Sequence, residues 1–184
     1  MRLSRALASG GMPVVEITLR TNVALDSIRA VKAQVPDLLV AAGTITSPRD
    51  LEAAMTAGAD FCVSPGLTEQ LLRVSTDMGV DFLPGIATAS EVMLGLEYGY
   101  QCFKLFPAIA AGGIGLLKSL EAPFPGVTFC PTGGLTPENF RDYLALPNVL
   151  CCGGSWMVKK ELTNGAQWGE VERLAREAMI DRAL

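Results

Sequence analysis

Seven short apolar runs alternate with amphipathic segments along the chain, and that alternation limits the fold more than any other feature. The runs are VVEITLR (14–20), LVAAGTI (39–45), DFCVSPG (60–66), DFLPGIA (81–87), QCFKLFPA (101–108), VTFCPTGG (127–134) and VLCCGGSW (149–156). Between them lie stretches of helical spacing, such as SPRDLEAAMTAG and TEQLLRVSTDMG, which open on Ser or Thr and close on Gly. Ser and Thr satisfy the free N–H groups of a first helical turn, and Gly takes the left-handed geometry that ends a last one. Pro48 suits a first helical position, and WGEVERLAREAMIDRAL at the end has the same helical period. Strand and helix alternating through compact connections imply a parallel sheet.

Two closures compete, a doubly wound open sheet and a (β/α)8 barrel. The period of two along a strand puts Glu16, Thr18 and Arg20 on one face of the first run, opposite Val15, Ile17 and Leu19. In QCFKLFPA, Cys102, Lys104 and Phe106 share a face opposite Phe103 and Leu105. An open sheet covered on both faces requires both sets to be apolar. A barrel packs its apolar set outward against helices and tolerates polar groups inside near its mouth, so the pattern selects the barrel. Its 184 residues are the size of one domain (1–184). Eight strands close a barrel. The opening MRLSRALASGG has the look of the second half of a helix ending at Gly10 and Gly11.

No residue of the chain is histidine, and that excludes histidine triads, histidine metal ligands and histidine bases together. Chemistry must run on Lys, Glu, Asp, Arg, Tyr, hydroxyls and backbone. The five cysteines, Cys62, Cys102, Cys130, Cys151 and Cys152, form no C-x-x-C pair and read as reduced structural thiols. A net charge of −4 without a basic stripe argues against a nucleic-acid surface. No apolar run is long enough to span a bilayer and no cleavable leader is evident, so the expectation is a soluble, cytoplasmic protein.

Lys104 is the one lysine embedded in an apolar strand. A lysine in a strand can be an edge-strand gatekeeper or a snorkelling side chain. Alternatively, desolvation favours the neutral amine, which condenses with a carbonyl to a Schiff base. Glu16, inward on its strand in a chain without histidine, is the candidate general acid/base; a buried ion pair with Lys or Arg is the structural alternative. Arg20, at the carboxyl end of its strand, suits a bidentate grip on a carboxylate. Thr44 could add a hydroxyl donor. The turns at Gly133–Gly134 and Gly153–Gly154–Ser155 let backbone N–H groups close on a phosphate, with a helix N-terminus expected behind them.

The motifs GGMPVVEITLRT, AAGTI, SPGLTE, PGIATASE, FKLFPA, FCPTGG, DYLAL and GGSW together resemble those of the 2-dehydro-3-deoxyphosphogluconate / 4-hydroxy-2-oxoglutarate aldolase family, in order and over essentially the whole chain. The resemblance implies a class I, Schiff-base aldolase of the Entner–Doudoroff pathway on a (β/α)8 barrel. It needs no metal and no other cofactor, and assembles as a homotrimer. By the same resemblance Lys104 is the Schiff-base lysine and Glu16 the acid/base. Arg20 and Thr44 hold the pyruvyl carboxylate, Pro65 and Phe106 line the pocket, and Thr132 faces the substrate. Gly133, Gly134, Gly154 and Ser155 receive the phosphate. The family also implies a strand and half a helix ahead of Met1, without which the first and last visible strands would be edges. A 2-dehydro-3-deoxy-6-phosphogalactonate aldolase and a non-catalytic sugar-phosphate-binding barrel are the competing functions. The second gives no reason for Lys104 and Glu16 together.

Overall fold

A computed structural model describes residues 1–180; the end of the expected C-terminal helix, 181–184, lies outside the described residues. Helix α1 (Arg2–Ser9) is followed by β1 (Val14–Thr18), α2 (Ala24–Gln34), β2 (Leu39–Gly43), α3 (Pro48–Thr56), β3 (Phe61–Val63) and α4 (Glu69–Asp77). Then come β4 (Phe82–Leu83), β5 (Gly85–Ile86), α5 (Ala89–Glu97), β6 (Cys102–Leu105), α6 (Gly113–Glu121) and β7 (Thr128–Pro131). The chain continues through α7 (Phe140–Leu144), a 3-10 turn (Trp156–Val158), α8 (Lys160–Asn164) and α9 (Trp168–Met179).

Every pairing is parallel, and the order, β1-β2-β3-β4 and then β5-β6-β7, follows the chain without reversing. A doubly wound sheet reverses direction at its switch point; this one turns one way only, as a barrel does. The curl is also visible across the interior. Strands β1 and β6 stand four strand positions apart, roughly 19 Å in a flat sheet, yet Lys104 Nζ lies 3.2 Å from Glu16 Oε1. The outward residues Val40, Ala42 and Cys62 pack with Ile28, Val31 and Leu51 of the helices, and Phe103, Leu105 and Phe129 pack with Val92 and Leu117.

The strands are shorter than their apolar runs, and three of the differences bear on the site. DFLPGIA is two short strands rather than one, because Pro84 has no N–H to offer the ladder; its carbonyl still accepts from Lys104 N at 2.9 Å. VLCCGGSW forms no continuous strand and joins β7 by two parallel bridges, Phe129 with Val149 and Thr132 with Gly153. The first run ends at Thr18, so Arg20 stands two residues beyond the strand rather than within it. Among the described residues, β1 pairs with β2 alone.

The caps form as the sequence implies. Ser47, Thr68 and Thr88 accept from Asp50 N, Leu71 N and Glu91 N. At α5 the arrangement is reciprocal, since Glu91 Oε2 takes Ala87 N and the Thr88 hydroxyl, both at 2.8 Å. Thr88→Ala is expected to cost about 1 kcal/mol, read as a lower urea midpoint at unchanged slope; an unshifted midpoint would remove the cap from the account.

Candidate active site

The interior is shaped by which strand residues point in. On β1 these are Glu16 and Thr18, whose register partners on β2 are Ala41 and Gly43. On β6 Lys104 points in, between its register partners Gly85 and Cys130. Lys104 is 5% exposed. Its backbone is fixed by the Pro84 carbonyl, and its ammonium donates to both Glu16 oxygens, at 3.2 and 3.3 Å. The Glu16 side chain is 31% accessible, so one end of the pair is dry and the other touches water. Nζ also lies 5.3 Å from the centre of the Phe106 ring, within cation–π range. An ion pair and an acid/base pair would use this same contact: a proton leaving the amine has an acceptor within hydrogen-bond reach.

Arg20, Thr44 and Pro65 stand just beyond the carboxyl ends of β1, β2 and β3. Arg20 is exposed, and its Nε donates to Thr18 Oγ1 at 3.1 Å. With Nε so engaged, the Nη1–Nη2 end of the fork is the one left to meet a carboxylate. Thr44 follows β2 with φ 64°, a left-handed conformation that costs a non-glycine residue of order 1 kcal/mol. Pro65 follows β3, and its backbone packs so closely on Gly85 that a Cβ there would fall 2.4 Å from its carbonyl carbon.

Thr132 ties the glycine turns together. Its N–H donates to Leu105 O at 2.9 Å, its carbonyl accepts from Ala108 N at 2.8 Å, and it bridges Gly153. Gly133 and Gly134 have φ of 103° and 84°, where a side chain is strained, and Gly154 lies so close to the Trp156 ring that a Cβ would be 1.8 Å from it. The expected helix dipole is not built there. Gly134 is followed by a loop before the five-residue α7, and Ser155 by only a 3-10 turn. Glycine in these turns leaves too little regular chain for an aligned macrodipole, so the backbone N–H groups themselves are the available donors. A groove of about 470 Å³ beside this turn, lined by Pro137, Trp156, Lys159, Glu161, Leu162, Glu170 and Leu174, contains none of the candidate residues.

The five cysteines are reduced thiols, with no disulfide among the described residues. Burial pushes Cys62 up to about 11 and, with the charge of Cys151 adding to it, Cys152 up to about 12. Cys130 is raised well above the ordinary thiol value by its hydrogen bond with Cys151 and by burial. Such thiols are protonated at neutral pH and make poor nucleophiles. Among the described residues no group of three or more Cys, Asp or Glu is placed to hold a metal.

Two contacts lie outside the sequence reading, Gly43 beside Glu16 and Thr18 beside Arg20. The inward alternation of β1 places Thr18 on the correct face, but nothing in AAGTI indicates that Glu16 reaches over it.

The sequence model of a family described as "Aldolase: KDPG and KHG aldolase" matches residues 1–174. The KHG/KDPG aldolase of Escherichia coli (strain K12) is 49% identical over 177 residues, spanning 96% of this chain and 83% of that protein. The 2-dehydro-3-deoxy-phosphogluconate aldolase of Pseudomonas aeruginosa is 50% identical over 177 residues, spanning 96% and 80%. Among solved structures, KDPG aldolase from Legionella pneumophila, with pyruvate captured at low pH as a covalent carbinolamine intermediate, superposes with a TM-score of 0.94 at 44% identity, covering 96% of this chain and 86% of that one.

Proposed function

The chain belongs to the KDPG and KHG aldolase family, and on that premise we propose a residue-level account in which Lys104 is the Schiff-base lysine and Glu16 its proton shuttle. The enzyme is a lyase. It cleaves 2-dehydro-3-deoxy-6-phosphogluconate (KDPG) to pyruvate and glyceraldehyde 3-phosphate, and 4-hydroxy-2-oxoglutarate (KHG) to pyruvate and glyoxylate. The observation that carries the residue assignment is the 3.2 Å contact between a buried lysine and a half-wet carboxylate.

Glu16 takes a proton from the Lys104 ammonium, and the freed amine adds to the C2 ketone. The same carboxyl returns the proton to the carbinolamine oxygen, which leaves as water, and the imine forms. With the imine protonated, Glu16 removes the proton of the C4 hydroxyl. The C3–C4 electron pair moves into the iminium, releasing the aldehyde and leaving an enamine. Protonation at C3 and attack of water on the imine carbon then release pyruvate and restore the lysine. Arg20, with Nε held by Thr18, and Thr44 grip the carboxylate next to C2. Pro65 and Phe106 wall the reacting carbons from water, and Thr132 faces the chain of the sugar acid. The N–H groups about Gly133, Gly134, Gly154 and Ser155 take the phosphate.

The working form is proposed as one domain in a cytoplasmic homotrimer; no helix among the described residues is long and apolar enough to cross a membrane. Incubation with KDPG, pyruvate being followed through a coupled dehydrogenase, tests the assignment. Turnover with KDPG ahead of its C4 epimer is expected. Faster turnover of the galactonate epimer would reassign the substrate, and saturable binding without pyruvate release would make the protein a binding barrel.

A further inference from the structure

We propose that Gly43 is a positioning residue for the acid/base step: by presenting no side chain at the end of β2, it leaves the space through which the Glu16 carboxylate reaches Lys104. The proposal rests on the reading of Glu16 as the proton shuttle. Glu16 pairs in register with Ala41, and Gly43 with Thr18. The Glu16 side chain therefore leans up the sheet and diagonally across β2, instead of standing over its own partner. It passes directly over Gly43. A Cβ built there would fall 2.0 Å from Glu16 Oε1, 2.6 Å from Cδ and 2.7 Å from Cγ, well inside contact distance.

Backbone conformation does not explain this glycine. Gly43 lies in the regular β2 ladder, and its φ falls outside the left-handed range that favours glycine. The left-handed residue is its neighbour, Thr44, at φ 64°. The chain thus carries glycine where the backbone would accept any side chain, and threonine where the backbone favours glycine. Both choices make sense if the end of β2 is shaped for the site: no side chain at 43 so that Glu16 fits, and a hydroxyl at 44 despite the strain.

The character of the clash makes the proposal testable. The three nearest atoms to the missing Cβ all belong to one flexible side chain, and the closest is its terminal oxygen. A methyl group would therefore be accommodated by swinging the carboxylate aside, at little cost to the fold and a large cost to the proton transfer. Gly85 is the opposite case, because there a Cβ would meet the backbone of Pro65 and Gly66, which cannot swing away.

The test is a double-mutant cycle on the full chain with KDPG as substrate, Gly43→Ala against Glu16→Gln, reading kcat, KM and Tm. Gly43→Ala is expected to keep Tm within about 3 °C and KM within about threefold, while kcat falls on the order of 100-fold. In the Glu16→Gln background the same change is expected to alter kcat by less than about twofold, since the group it displaces no longer transfers protons. Unchanged kcat in Gly43→Ala would overturn the proposal. So would an equal loss in both backgrounds, which would place the effect elsewhere. A collapse of Tm would also overturn it, because a flexible carboxylate would then not be what occupies the space. If Glu16→Gln alone retains kcat, the acid/base reading itself fails, an outcome distinct from Gly43→Ala being silent.

Discussion

Lys104→Met is expected to reduce KDPG cleavage by on the order of 10^5-fold or more while leaving the fold intact. Methionine has a similar length and an apolar character suited to a site that is 5% exposed, so the cavity stays filled and no charge has to be buried. What disappears is the nitrogen proposed to bond with C2. The stranded Glu16 carboxylate is 31% accessible and can turn to water. Tm is therefore expected to hold or rise while kcat vanishes, with substrate still binding through Arg20 and the glycine turns. Retention of turnover above a hundredth of the native value would remove Lys104 from the mechanism.

Glu16→Gln is expected to lower kcat by about 10²- to 10⁴-fold. The amide matches the carboxylate in size and can still approach Nζ, but it neither accepts the proton of the ammonium nor returns one to the carbinolamine. Its effect on stability should be opposite in sign to that of Lys104→Met. Removing the carboxylate leaves an ammonium whose side chain is 7% exposed without its counter-charge, at a cost of about 1–2 kcal/mol once partial access to water is allowed for. Chemical denaturation of both variants measures that asymmetry. Equal destabilisation by the two would show that the contact serves the fold and not the reaction.

The parts of the site that were legible in the sequence are those governed by local rules. Period-two alternation placed Glu16 and Lys104 inward, because both lie within regular β ladders. The caps at Ser47, Thr68 and Thr88 follow from hydrogen bonding within one turn. Where a local rule is broken, structure and sequence pattern part. Pro84 splits a strand that hydropathy alone makes continuous, and the glycines of VLCCGGSW loosen its ladder to two bridges. The helix expected behind the glycine turns gives way to a loop and a 3-10 turn. Gly43 was out of reach for another reason. Its meaning depends on how far Glu16 leans along the sheet, a tertiary quantity that no window of sequence around AAGTI contains.

The proposed chemistry depends on one carbon–nitrogen bond, and reductive trapping observes that bond directly. Pyruvate and borohydride are added to the native chain, and the intact mass and a peptide map are recorded. One reduced pyruvyl group per chain is expected, carried on the peptide containing Lys104 and absent in Lys104→Met. No mass gain, or a label on Lys32, Lys118, Lys159 or Lys160 instead, would contradict it.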